Sequence, residues 1–224
     1  MQSSFRKLVE SKARRALVAS TTLRASERDE SPVSRQGGIP LGFSDEEWPK
    51  FDGVPLFPIL SVFAPELPFV PRFLEGFDYW SFFIVRDDFE QVVDDGSMVV
   101  RRYETTAGLV PLQAPEDQDS RLIELTFAEV RDYPSDFAFD EVIQHDNQIA
   151  RIAGNGWEEE LKSYPCHDGI KLGGYPRLIQ GTAFLLSLDP DYEIQIDMTE
   201  LYTYGDSGIG YVFGGLSAAI WETF

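Results

Sequence analysis

Lys171-Leu-Gly-Gly-Tyr-Pro-Arg-Leu-Ile-Gln180, the apolar run Ala183-Phe-Leu-Leu-Ser-Leu188 and Tyr204-Gly-Asp-Ser-Gly-Ile-Gly-Tyr-Val-Phe213 follow one another in the last quarter of the chain. The first run pairs Gly173 and Gly174 ahead of Tyr175-Pro176, which suits a sharp reversal, because glycine tolerates positive φ and proline fixes its own. Phe184 to Leu188 is short, apolar and bounded by breakers, so it reads as a buried strand. Tyr211-Val-Phe213 reads as a second strand, entered through a turn built on Gly205 and Gly208. Between them, Asp189-Pro-Asp-Tyr-Glu193 reads as a solvated acidic loop. Its alternating carboxylates lack the glycine and distal glutamate of a calcium-binding EF-hand.

The same order of signals stands earlier in the chain. Gly37-Gly38-Ile-Pro40 matches the paired glycines and Pro176. Ile59-Leu-Ser-Val-Phe63 matches Leu185 to Leu188, and Gly76 to Phe83 loosely matches Gly205 to Phe213. Ordered recurrence of three elements predicts a duplicated strand–turn–strand unit, with residues 37–86 and 171–214 as its copies. Repeated prolines around Trp48 and through Gly53-Val-Pro-Leu-Phe-Pro58 exclude helix there and predict short strands joined by turns.

Between the copies, Ser97 to Tyr103 and Arg121 to Phe127 are rich in strand formers, with an acidic loop from Ala114 to Ser120 separating them. From Asp136 the spacing of Phe139, Val142, Ile143, Ile149 and Ile152 is helical, and Trp157 to Tyr164 makes a second short helix ended by Pro165. At the start of the chain, Ser3 or Ser4 caps a predicted helix to about Ser20, with Phe5, Leu8, Val9, Ala13, Ala16 and Leu17 on one face. A helix docked on the domain, a basic surface-binding arm and a transit peptide are all compatible with it. Thr21 to Gln36 is polar and aperiodic, a connector. The expected architecture is therefore α+β, β-rich and largely antiparallel. Residues 1–36 form its basic helix and connector, and residues 37–224 one domain with two related halves and a helical insert before the second.

Charge is divided as sharply as pattern. The chain carries 19 Lys and Arg against 38 Asp and Glu, a net charge of −19. Residues 1–35 hold eight basic and four acidic side chains, leaving 11 against 34, or −23, for residues 36–224. Such a body repels nucleic acid and anionic membranes and favours basic protein partners or simple solubility. No apolar run reaches the ~18 residues of a membrane span. The one cysteine, Cys166, fits a reducing compartment, with the cytoplasm as the default expectation.

Catalytic constellations are thin. Gly205-Asp206-Ser207-Gly208 copies a serine-protease nucleophile motif, but His145 and His167 lack the context of a triad histidine. Cys166 and His167 are adjacent, so in an extended segment their side chains point to opposite faces. One cysteine and two histidines do not make a usual structural zinc site, and no cofactor fingerprint appears. Two readings remain. One is a non-enzymatic acidic binding protein, with Glu116, Asp117, Asp119 and Glu158, Glu159, Glu160 as its charged clusters. The other is an enzyme or small-ligand binder whose cleft between the halves is lined by Tyr175, Gln180, Asp206 and Tyr211.

These motifs carry a family resemblance. The Gly-Gly-x-Pro of residues 37–40, Glu47-Trp48-Pro49, the second Gly-Gly-Tyr-Pro and the Gly-Asp-Ser-Gly ahead of an aromatic strand resemble the YwqG-like family, from about Gly37 to Trp221. That family is mainly bacterial and built on a domain of unknown function. The resemblance implies the fold more than an activity. Some members lie near genes for secreted toxins, which implies an immunity role. The family usually places Gln after the leucine of each core strand, where this chain has Ser61 and Ser187, and commonly has Trp where Tyr204 stands.

Overall fold

The computed structural model describes residues 4–24, 31–85, 98–116, 118, 121–134, 161–177, 192–197, 208–213 and 218–223. Their dominant element is one antiparallel sheet of ten strands, curled into a half-barrel. In chain order it comprises β1 (Arg14–Arg24), β2 (Arg35–Gly37), β6 (Phe57–Phe63), β7 (Tyr79–Ile84), β8 (Met98–Tyr103), β10 (Leu122–Asp132), β11 (Lys171–Gly173), β12 (Tyr192–Ile196), β13 (Gly208–Phe213) and β14 (Ala218–Thr223). Across the sheet the order is β14-β13-β12-β11-β1-β10-β2-β6-β7-β8. Two ribbons of two strands each stand apart from it: β3 (Leu41–Gly42) with β9 (Val110–Pro111), and β4 (Lys50–Phe51) with β5 (Val54–Pro55).

Register divides the sheet into two faces, because directly opposed side chains lie on the same side. Leu17 faces Leu172, Leu60 faces Phe82, Val62 faces Trp80 and Ile194 faces Val212. All of these belong to one buried apolar cluster, the core within the curl. Each large side chain buried there contributes roughly 1.5–3 kcal/mol against exposure. The other face carries a polar row: Glu124 opposite Arg35, Arg35 opposite Ser61, Ser61 opposite Ser81, and Ser81 opposite Arg101. Beyond the centre it continues as Lys171 opposite Gln195 and Gln195 opposite Tyr211. At the middle of this face Ser20, Thr22, Thr126 and Ala128 are exposed.

The strands flanking the central β1–β10 pair follow one plan. Ala19 N–H donates to the Ile170 carbonyl at 2.9 Å, and Leu125 N–H donates to the Ser34 carbonyl at 2.9 Å. Gly37 and Gly38 have φ of 68° and 71°, Gly173 and Gly174 of 72° and 82°. A Cβ on Gly38 would stand 2.9 Å from Leu122 Cβ, and one on Gly174 would stand 2.8 Å from Ala16 Cβ. Pro40 and Pro176 are both buried behind them.

The β-rich antiparallel character matches the sequence reading, and the strands Phe57–Phe63, Tyr79–Ile84, Met98–Tyr103 and Leu122–Asp132 overlap the stretches Ile59 to Phe63, Gly76 to Phe83, Ser97 to Tyr103 and Arg121 to Phe127 read from the sequence. Several expectations are corrected. The first helix, α1, covers Ser4–Ser11 and stops there. Phe5 and Val9 anchor it against Tyr133 and Leu161. Arg14–Arg24 is a strand, because its β-branched Val18, Thr21 and Thr22 fit a pleated surface and two neighbouring strands satisfy its backbone. The segment read as helix and connector therefore holds the centre of the sheet. A boundary between residues 36 and 37 would cut β2. Tyr192–Ile196 is likewise a strand, so Tyr192 and Glu193, expected to end a solvated acidic loop begun at Asp189, open a strand instead, and Glu193 is buried. Gly208 opens β13 opposite Thr223 and so serves a strand instead of a turn. The strand expected over Phe184 to Leu188 and the helical insert before Leu161 lie outside the described residues. No helix among the described residues is long and apolar enough to cross a membrane.

Candidate functional site

Strands β2, β6, β7 and β8 form the first flank of the sheet and β11 to β14 the second; an open concavity lies over the first, lined from both ribbons. It is a groove of about 1020 Å³, bounded on one side by Phe43 to Trp48 and on the other by Val110 to Pro115. Its floor is apolar. Trp48 is buried, packs edge-on to Phe83 at 5.6 Å, and donates its indole N–H to the Leu56 carbonyl at 2.8 Å. Leu112 closes the other side, its N–H donating to the Pro40 carbonyl at 3.0 Å. Gly42 has no room for a side chain, because a Cβ would stand 2.5 Å from Leu112 and 2.6 Å from the Glu46 carboxylate.

Three consecutive acids line this groove, and they do different things. Glu46 turns inward, where its Oε2 accepts from Phe43 N–H and from the Tyr103 hydroxyl, both at 2.7 Å. Burial, reinforced by the Glu46 carboxylate, holds the Tyr103 phenol well above its ordinary pKa. Arg101 also stands behind Glu46 at 3.9 Å and donates to the Glu47 carbonyl. Asp45 and Glu47, on either side, are exposed. Phe43 is 45 % exposed at one lip and Val110 42 % exposed at the other. Glu116, one of the expected charged residues, is exposed immediately beyond Pro115.

The second flank is closed where the first is open. Lys171 and Asp132, both fully buried, pair at 2.9 Å. Asp132 also accepts from His167 N–H at 2.9 Å and Tyr175 N–H at 2.8 Å, and Lys171 donates to the His167 carbonyl at 3.0 Å. Burying a charge pair is tolerable only when the remaining lone pairs and protons are used in this way. Gln195 donates to the Gly169 carbonyl and accepts from Arg177 N–H. Tyr211, also buried, donates to the Arg177 carbonyl at 2.6 Å. Tyr175 donates to the Lys12 carbonyl at 2.5 Å, beneath an Arg14 guanidinium 4.3 Å from its ring. Burial raises the Tyr175 phenol, and the Arg14 charge opposes that rise.

The tyrosines expected to line a cleft thus tie loops to the sheet by bonds to backbone carbonyls. Gln180, Asp206, Asp117, Asp119, Glu158, Glu159, Glu160 and Gly205 lie outside the described residues. Sequence reasoning missed Phe43, Asp45 and Glu47 as a site, although Asp45-Glu-Glu-Trp48 between prolines was a visible signal. It missed Gln195 too, which stands opposite Lys171 as Ser61 stands opposite Arg35. Among the described residues, no three His, Cys, Asp or Glu side chains gather to hold a metal ion.

Comparison of the chain with models of known protein families gives no match, and comparison with curated proteins finds no similar one. The functional reading therefore rests on the chemistry of the chain.

Proposed function

We propose that this is a non-enzymatic acidic binding protein whose partner is a basic protein, a toxin held in an immunity complex being one such partner. The observation that carries the reading is the groove, where exposed Asp45 and Glu47 flank an apolar floor and Phe43 and Val110 stand exposed at its lips. Apolar anchors ringed by charge are the usual composition of a recognition surface. The net −23 of residues 36–224 would steer a basic partner towards it, and it exceeds the ~2–8 charges that suffice for solubility.

We also read the two flanks as copies of one unit whose first strands are exchanged, β1 pairing with the second copy and β10 with the first. The paired positive-φ glycines and the two equivalent backbone bonds support this. The YwqG-like family remains our proposal for the chain's kinship.

The test is affinity capture from the native host at low and moderate salt, followed by association rates of the captured protein across a salt series. A rate that falls as salt screens the field beyond ~8–10 Å supports the reading. A rate that stays flat would reduce the acidity to background composition and sink it.

A further inference from the structure

We propose that the groove takes an extended, polyproline-type segment of the partner, one that carries Lys or Arg beside apolar side chains. This rests on the reading of the chain as a binder of a basic protein, and it names the part of that protein that is bound.

Size sets the class of occupant. At about 1020 Å³ the groove lies at or above the upper end of small-molecule pockets, which run from ~300 to ~1,000 Å³. It is an open groove lined from both ribbons, which suits an extended peptide segment. Backbone chemistry then sets the conformation. Pro55 and Pro111 end β5 and β9, and Pro115 lies further along the same side of the groove, so these three lining positions offer no N–H, while the N–H groups of Phe43, Glu46 and Leu112 are already bonded within the chain. The Trp48 N–H is committed to Leu56. Recognition here falls to side chains, and a segment that needs no ladder partner, the polyproline II conformation, meets a wall of this kind.

Side-chain chemistry sets the sequence. Four large apolar side chains are exposed among the described residues: Phe43, Val54, Val70 and Val110. Two of the four line this groove, and Val54 adjoins Pro55 of its wall. They call for apolar contacts on the ligand. Asp45 and Glu47 call for cations, while Glu46 is occupied by Tyr103 and Phe43 N–H. Lys50 is the only cation among the lining residues. A second copy of this chain, at −19, is repelled.

The test uses the full chain and three labelled decapeptides: one of Pro, Arg and Leu, one of Arg and Gly with the same charge, and one of Pro, Glu and Leu. Lysozyme serves as a folded basic probe. Fluorescence anisotropy should show the Pro/Arg/Leu peptide binding about tenfold tighter than the Arg/Gly peptide, with none for the Glu peptide. Phe43→Ala and the pair Asp45→Asn, Glu47→Gln should each weaken it by about tenfold, with unchanged circular dichroism. Equal binding of the two cationic peptides, or variants that bind as the parent does, would overturn the proposal. Salt-dependent binding of lysozyme without binding of the Pro/Arg/Leu peptide would overturn it too, while sparing the broader reading. Binding of neither would overturn both.

Discussion

The first and second flanks of the sheet share a backbone plan and differ in what their polar rows do. Arg35, Ser61 and Ser81 occupy successive opposed positions on one side, as Lys171, Gln195 and Tyr211 do on the other. On the second flank every polar group of that row is tied to loop backbone, and Asp132 alone takes three donors. On the first, Phe83 follows Ser81 on the same face of β7 and packs with Trp48, Leu56 and Leu112, and Trp48 and Leu112 in turn line the groove. Strand register thus fixes where polar residues stand. Side-chain reach decides whether the surface above them is locked or available for contact.

The largest effect should come from breaking the lock. Asp132→Ala leaves the Lys171 ammonium buried without its partner and two N–H groups without an acceptor, which should cost about 3–5 kcal/mol in urea denaturation. The contrasting variant is Ser81→Ala. Its hydroxyl is buried and has no hydrogen-bond partner among the described residues, so its removal should be neutral or stabilising. A loss below about 1 kcal/mol at Asp132, or one above it at Ser81, would erase the distinction between the flanks.

The glycine pairs give the next effect and sharpen the comparison. Gly174→Ala drives a Cβ to 2.4 Å from the Asp132 carboxylate at a φ of 82°, so it disturbs the lock as well as the turn. Gly38→Ala meets only Leu122 Cβ, at 2.9 Å. Both should destabilise by more than ~1 kcal/mol, Gly174 the more. Thermal unfolding of the two variants checks the order. The reverse order would show that the turn, and not the carboxylate, sets the tolerance.

What the sequence made legible follows the range of the forces involved. Phe57–Phe63 and Tyr79–Ile84 are short, apolar and bounded by proline or glycine, and local pattern was enough to place them. Arg14–Arg24 was misread because Ala13, Ala16 and Leu17 also fit helical spacing. Its strand depends on Leu122–Asp132 and Lys171–Gly173, which lie far away in the chain. Tyr192–Ile196 was hidden by the charges around it, although Ile194 and Ile196 alternate onto the core. At the groove the motif around Trp48 was visible. The division of labour among Asp45, Glu46 and Glu47 was not, since the distant Tyr103 and Arg101 are what turn Glu46 inward.

The smallest effect, and the one with a sign that differs between flanks, concerns two tyrosines, Tyr103, which is buried, and Tyr175, which is partly buried. Both phenols sit above the ordinary value of 10.0, chiefly because burial disfavours the phenolate. Their most influential charged neighbours act in opposite directions, while Arg101 at Tyr103 and Asp132 at Tyr175 each work against that neighbour with smaller effect. Glu46 adds to the rise at Tyr103, so Glu46→Gln should let that phenol fall back towards 10.0. Arg14 opposes the rise at Tyr175, so Arg14→Gln should push that phenol higher. Spectrophotometric titration of tyrosinate would read both. The linkage has one sign for the parent protein. A phenol whose pKa is higher folded than unfolded binds more protons in the folded state once the pH passes the unfolded value. Stability is therefore fully present below about pH 10 and declines as pH rises beyond it. Glu46→Gln should shrink that alkaline loss and Arg14→Gln should enlarge it. Shifts of the same sign in both variants would mean that burial alone governs the two phenols, and that the charges beside them do not distinguish the open flank from the closed one.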